Sequence, residues 1–129
     1  MGLVERLAAT LGEVATVVEE ADGALTVSHG GTVASLRVVS IAEDLEMVSL
    51  TQLLAWDLPL TNKIRGRVAE QAGGTVLGTV ALVEKAGAKT GDVVLRYNFP
   101  GAGLTDDALR TLILMVLAGG ADARAAISG

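Results

Sequence analysis

The chain has 129 residues with a formal net charge of −5, half of it hydrophobic, yet Trp56, Tyr97 and Phe99 are its only aromatics. That length fits one domain over 1–129, and the acidic balance argues against nucleic acid or an anionic membrane as partner, both of which need a cationic surface. No cysteine and a single histidine exclude disulfides, thiolate nucleophiles and cysteine- or histidine-rich metal sites.

In chain order, Leu3, Val4, Leu7, Ala8 and Leu11 recur at helical spacing, so 2–13 is predicted as a one-sided amphipathic helix. Glu5 and Arg6 interrupt its first turn, so no signal peptide and a cytoplasmic location are expected. Residues 15–19 and 25–28 flank Ala21-Asp22-Gly23-Ala24, an Asp-Gly hairpin signal. His29-Gly30-Gly31 marks the next turn, and 32–41 alternates as a longer strand. Glu43 and Asp44 turn the chain into a strand over 46–58, whose Leu53-Leu54-Ala55-Trp56 stretch is equally compatible with helix. Pro59 is expected to end it, since proline lacks a ladder donor.

Thr61 suits the N-cap of a second helix of about 11 residues, with Leu60, Ile64, Val68 and Ala72 as its apolar line and Gly73-Gly74 closing it. Residues 75–84 and 92–99 read as the last two strands, with Gly78 inside the first. Pro100-Gly101-Ala102-Gly103 breaks the sheet. Thr105 caps a final helix, with Asp106 and Asp107 against its positive end. Residues 112–118 in it are uniformly apolar, so a second face is expected to meet more protein, either this chain or another. Gly119-Gly120 is expected to stop or kink it. Consecutive strands with short connections imply antiparallel pairing and an α+β class: helices packed on an antiparallel sheet, in the order helix, three or four strands, helix, two strands, helix.

The helix after Leu58-Pro59-Leu60, the strand pair after Gly74, and the Phe99-Pro100 break into Gly103-Leu104-Thr105-Asp106-Asp107-Ala108-Leu109 resemble YbjN-type proteins. The likeness is sharpest over 57–118, and Asn62 is similar to a helix-start asparagine of that group. Those are small acidic bacterial proteins with a fold like that of type III secretion chaperones. The resemblance implies a homodimeric α+β domain with a chaperone-like or regulatory role, and no catalytic residues or cofactors.

The candidate sites follow from the residues. Ser28-His29 is the one place a nucleophile–base pair could begin, but strand neighbours point to opposite faces and no G-x-S-x-G elbow exists, so a turn histidine is expected. The Gly101-x-Gly103 and Gly87–Gly91 stretches each fail to complete a phosphate-binding motif. Between Glu13 and Asp57 eight acidic residues face Arg37 alone; between Leu58 and Arg96 six basic residues outnumber Glu70, Glu84 and Asp92. Lys63 and Arg67, at i and i+4 of the second helix, could dock an acidic segment, including that of a second copy, or form a plain solvated face. Trp56 is an interface anchor or a core residue. Tyr97 and Phe99 share a face and suit core packing. In the apolar run, Leu114 and Leu117 are the residues expected to face a partner. The resulting expectation is a non-enzymatic, dimeric module that binds partner segments in apolar grooves or at a free sheet edge. The alternative is a small-molecule carrier with its cavity between sheet and helices.

Overall fold

The computed structural model describes residues 2–128. Its elements are α1 (Leu3–Gly12), β1 (Thr16–Glu19), β2 (Leu25–His29), β3 (Thr32–Ala42), β4 (Leu45–Pro59), α2 (Asn62–Gly74), β5 (Thr79–Glu84), β6 (Thr90–Pro100) and α3 (Asp106–Ser128). The six strands form one antiparallel sheet in the order β1-β2-β3-β4-β6-β5. The α+β class and element order expected from the residues are those observed.

Side-chain alternation turns one face of the sheet into a core wall. Leu25 and Val27 of β2, Ala34 and Leu36 of β3, Val48, Leu50 and Leu54 of β4, and Val93, Leu95 and Phe99 of β6 are all buried on that side. Leu3, Leu7 and Leu11 from α1, Val68 from α2, and Leu109, Ile113, Val116, Leu117, Ala123 and Ile127 from α3 complete the same cluster. All three helices therefore lie against one face. Tyr97 and Phe99 stack at a centroid distance of 5.5 Å, with Phe99 buried; they pack with the core.

Local chemistry fixes the ends of the elements. Gly30 and Gly31 sit at φ of +56° and +77°, the left-handed pair that a two-residue hairpin between His29 and Thr32 requires. Thr61 caps α2, its hydroxyl accepting from Ile64 N–H at 3.2 Å, and Thr105 caps α3 by accepting from Ala108 N–H at 3.1 Å. Arg6 of α1 reaches the loop before α3, donating to the carbonyls of Ala102 and Leu104 and pairing with Asp106 at 2.9 Å.

Three expectations need correction, and one open choice is decided. Residues 75–78 are not strand: Gly78, at φ +83°, makes the bend that precedes β5. The open choice at Leu53–Trp56 falls to strand, as part of β4, although the register slips between Leu53 and Ala55 and again between Ala55 and Leu58. Gly119-Gly120 does not stop α3, which runs on to Ser128. Gly120 is instead a packing notch: a Cβ there would lie 1.9 Å from Gln52 Oε1. The Gln52 side chain, fully buried among apolar neighbours, fills that notch and donates to Thr32 Oγ1 at 2.7 Å and to the Leu117 carbonyl at 3.0 Å. Finally, Leu117 is a core residue with no exposed surface, because the inward stripe of α3 at 109, 113, 116, 117 and 120 takes it toward the sheet.

By length and composition α3 could also cross a bilayer. Here it lays that stripe on the sheet and carries Asp106, Asp107, Arg110, Asp122 and Arg124 on its other sides.

Candidate functional site

The second face of the sheet carries no helix. Register sets Val18, Thr26, Ser35, Thr51, Arg96 and Thr79 in one row across all six strands, and Thr16, Ser28, Val33, Leu53, Val94 and Ala81 in the next. These are β-branched, small and apolar residues, with Arg37 and Arg96 as the cations. An antiparallel sheet tolerates one solvated face, but here Val18, Val33, Val39, Ile41 and Val83 all stand in water, Ile41 at 62% exposure. At about 4.8 Å per strand the face is roughly 25 Å wide.

Trp56 lies where the two register slips interrupt β4 and is 58% exposed. The expectation that it packs in the core is therefore overturned: the irregular strand re-aims it outward, as bulges do. Its neighbour Asp57 holds φ of +53°, a left-handed conformation rare outside glycine. Asp92 accepts from the Asp57 N–H at 3.0 Å. Lys85 donates to the Asp57 carboxylate and lies 3.5 Å from that of Asp92. The hydrogen bond to Asp57 raises the Lys85 ammonium above its ordinary pKa. This ion cluster braces the bend beside Trp56.

The remaining sequence candidates do not converge on one place. Lys63 is exposed on α2 and, among the described residues, has no ion-pair partner. Arg67 is half-buried and donates to the Ile127 carbonyl at 3.1 Å, so it ties α2 to α3 rather than projecting freely. Leu114 is half-buried; the large residue of the apolar run that reaches solvent is Met115, at 58%. Met115 lines a groove of about 390 Å³ between α2 and α3 with Gln71, Gly74, Thr75, Val76, Leu77, Gly119 and Asp122. Val76 on its lip is 94% exposed. Among the described residues no group of three metal-binding side chains forms.

Residues 13–57, acidic in balance, form β1 to β4 on one side of the sheet, whereas α2, β5 and β6 come from the basic stretch. At the β1–β2 turn, Arg37 of β3 donates to Asp22 at 2.7 Å. That bond, aided by Ala24 N–H, holds the Asp22 carboxyl below the ordinary carboxylate range.

Sequence reasoning missed Gln52, although a glutamine at a core-facing alternate of an apolar strand was a readable signal. The longer third strand was read, but not that its far end would be left without a partner beside the five-residue β2.

No family model matches the chain, and no curated protein sequence does. Among solved structures it is similar to YbjN from E. coli, described as a candidate transcription regulator. The TM-score is 0.64 at 10% identity, covering 96% of this chain and 89% of that one. The fold is YbjN-like.

Proposed function

We propose that this chain is a non-enzymatic protein-binding module, chaperone-like or regulatory, that pairs with a second copy and binds segments of a partner protein. The uncovered, partly apolar sheet face carries the reading. Face-to-face pairing of two copies over roughly 500 Å² each would bury about 1,000 Å², the lower bound for a specific interface. The regulator description of the similar YbjN structure supports a regulatory role. A net charge of −5 favours action through proteins over direct contact with nucleic acid.

Light scattering at micromolar concentration tests the pairing. The expected mass is twice the 13.1 kDa of one chain, and Val33→Glu with Leu53→Glu returns it to one chain with the circular dichroism unchanged. A single-chain mass for the unaltered protein across the micromolar range would overturn the paired form. The groove between α2 and α3 favours a second reading, a carrier of a small apolar molecule. Native mass spectrometry of protein purified from its host tests it, and an unliganded mass alone would count against it.

A further inference from the structure

β3 outruns its neighbour. Pairing of β2 with β3 ends at Leu25 opposite Leu36, while β3 continues to Ala42. From Arg37 onward β3 has β4 on one side only, and among the described residues no turn, loop or cap hydrogen bond reaches 38–42.

Which backbone groups stand free follows from the hairpin. In a two-residue hairpin the closing pair, here His29 and Thr32, exchanges hydrogen bonds, and the pattern then alternates. Thr32, Ala34 and Leu36 thus direct N–H and C=O toward β2. Val38 and Ser40 direct theirs the same way, past the end of β2 into solvent.

Exposed edges are ordinarily blunted by charge, proline or shortness. β1 is four residues long and ends in Glu19; β5 ends in Glu84, which pairs with Arg65 of α2. The Val38-Val39-Ser40-Ile41 stretch has neither charge nor proline. A hollow of about 220 Å³ lies against it on the open face, lined by Val39, Ile41, Met47, Ser49 and Asn98. Another of about 350 Å³ lies at the foot of β2, between Val4, Gly23, Ala24 and Val38, with the mutually neutralised Arg37–Asp22 ion pair in its wall. An added strand would have room for its alternate side chains on both faces.

Charge selects the occupant. Glu43, Asp44 and Glu46 flank this edge and, among the described residues, have no ion-pair partner. A second copy would bring the same carboxylates and another −5. We propose that the β3 edge over 38–42 takes an extended segment of another protein as an added strand, and that this segment alternates apolar and basic residues. This rests on the reading of the chain as a protein-binding module and names where and what it binds.

A fluorescein-labelled peptide of alternating valine and lysine, about ten residues long, tests this by fluorescence anisotropy on the full chain. Its counterpart, N-methylated at every residue, keeps every charge but has no N–H left for the ladder on either edge. Binding by the first peptide should weaken at least about tenfold in the second, and as much in Ser40→Pro, which removes one outward N–H and leaves the β4 ladder intact. Ile41→Ser, which needs no backbone change, should weaken it several-fold. Peptide should also slow hydrogen exchange at the Val38 and Ser40 amides. Binding unchanged by N-methylation and by Ser40→Pro would show charge attraction alone and overturn the proposal. Exchange protection at both amides that rises with protein concentration as the mass doubles would give the edge to a second copy. That result overturns this proposal and leaves the paired module standing. A single-chain mass with no peptide binding would remove both.

Discussion

Gln52 is the polar residue on which the core turns. Its amide nitrogen spends both hydrogens on Thr32 Oγ1 and the Leu117 carbonyl, while its buried Oε1 has no hydrogen-bond partner and lies against Gly120. A buried amide left unmatched costs stability, so the site tolerates change poorly. Gly120→Ala should destabilise the fold by about 2–3 kcal/mol through overpacking, read by urea denaturation. Gly119→Ala, one residue away with nothing within 4 Å of its Cβ, should instead stabilise by up to about 1 kcal/mol. Combining Gln52→Ala with Gly120→Ala should cost at least about 1 kcal/mol less than the two separate losses together, because removing the amide removes the clash. The Asp22 carboxylate belongs to the same scale. Its folded pKa is depressed, so its contribution is full above the ordinary value of 3.8 and is lost as pH falls through the lower folded value. An NMR titration of Asp22 should give a midpoint under 3.8, and Arg37→Gln should move it back up.

At the scale of elements, α3 shows why the apolar run at 112–118 was misleading. Ile113, Val116 and Leu117 go to the core, Leu112 and Leu114 are half-covered, and Met115 and Ala118 face out. An unbroken apolar stretch hides its own inward stripe, so periodicity could not separate Leu117 from Met115. Ile113→Ala should therefore cost about 2–5 kcal/mol, whereas Met115→Ala should stay within about 0.5 kcal/mol, both by thermal or urea unfolding. Where polar residues mark the pattern, the elements were legible: the Asp-Gly hairpin, the Thr61 cap and the Thr105 cap all fall where the residues place them. The Gly119-Gly120 pair was misread because glycine signals both a helix stop and a close approach, and only a distant partner, Gln52 on β4, decides between them.

For the whole molecule, the sequence left the strand number at five or six and held antiparallel pairing, but not the lateral order, which sets β6 between β4 and β5. Nor did it hold which sheet face stays bare, since Thr, Ser and Val suit either. The interaction surface was legible only in fragments: Trp56 as a candidate anchor, and the longer third strand. That the central strands are joined to a helix made after all of them has a consequence for the nascent chain. β6 ends at Pro100, and every side chain α3 lends the core, from Leu109 to Ile127, is translated later. At about 5–20 residues per second, the part of the core wall that α3 covers stays open on the ribosome for a second or more, and the Gln52 amide waits with it for Leu117. The strands must then either defer their pairing until α3 emerges or be shielded meanwhile, so a ribosome stalled near residue 105 should carry a chain that trigger-type holdases and proteases still recognise as unfolded.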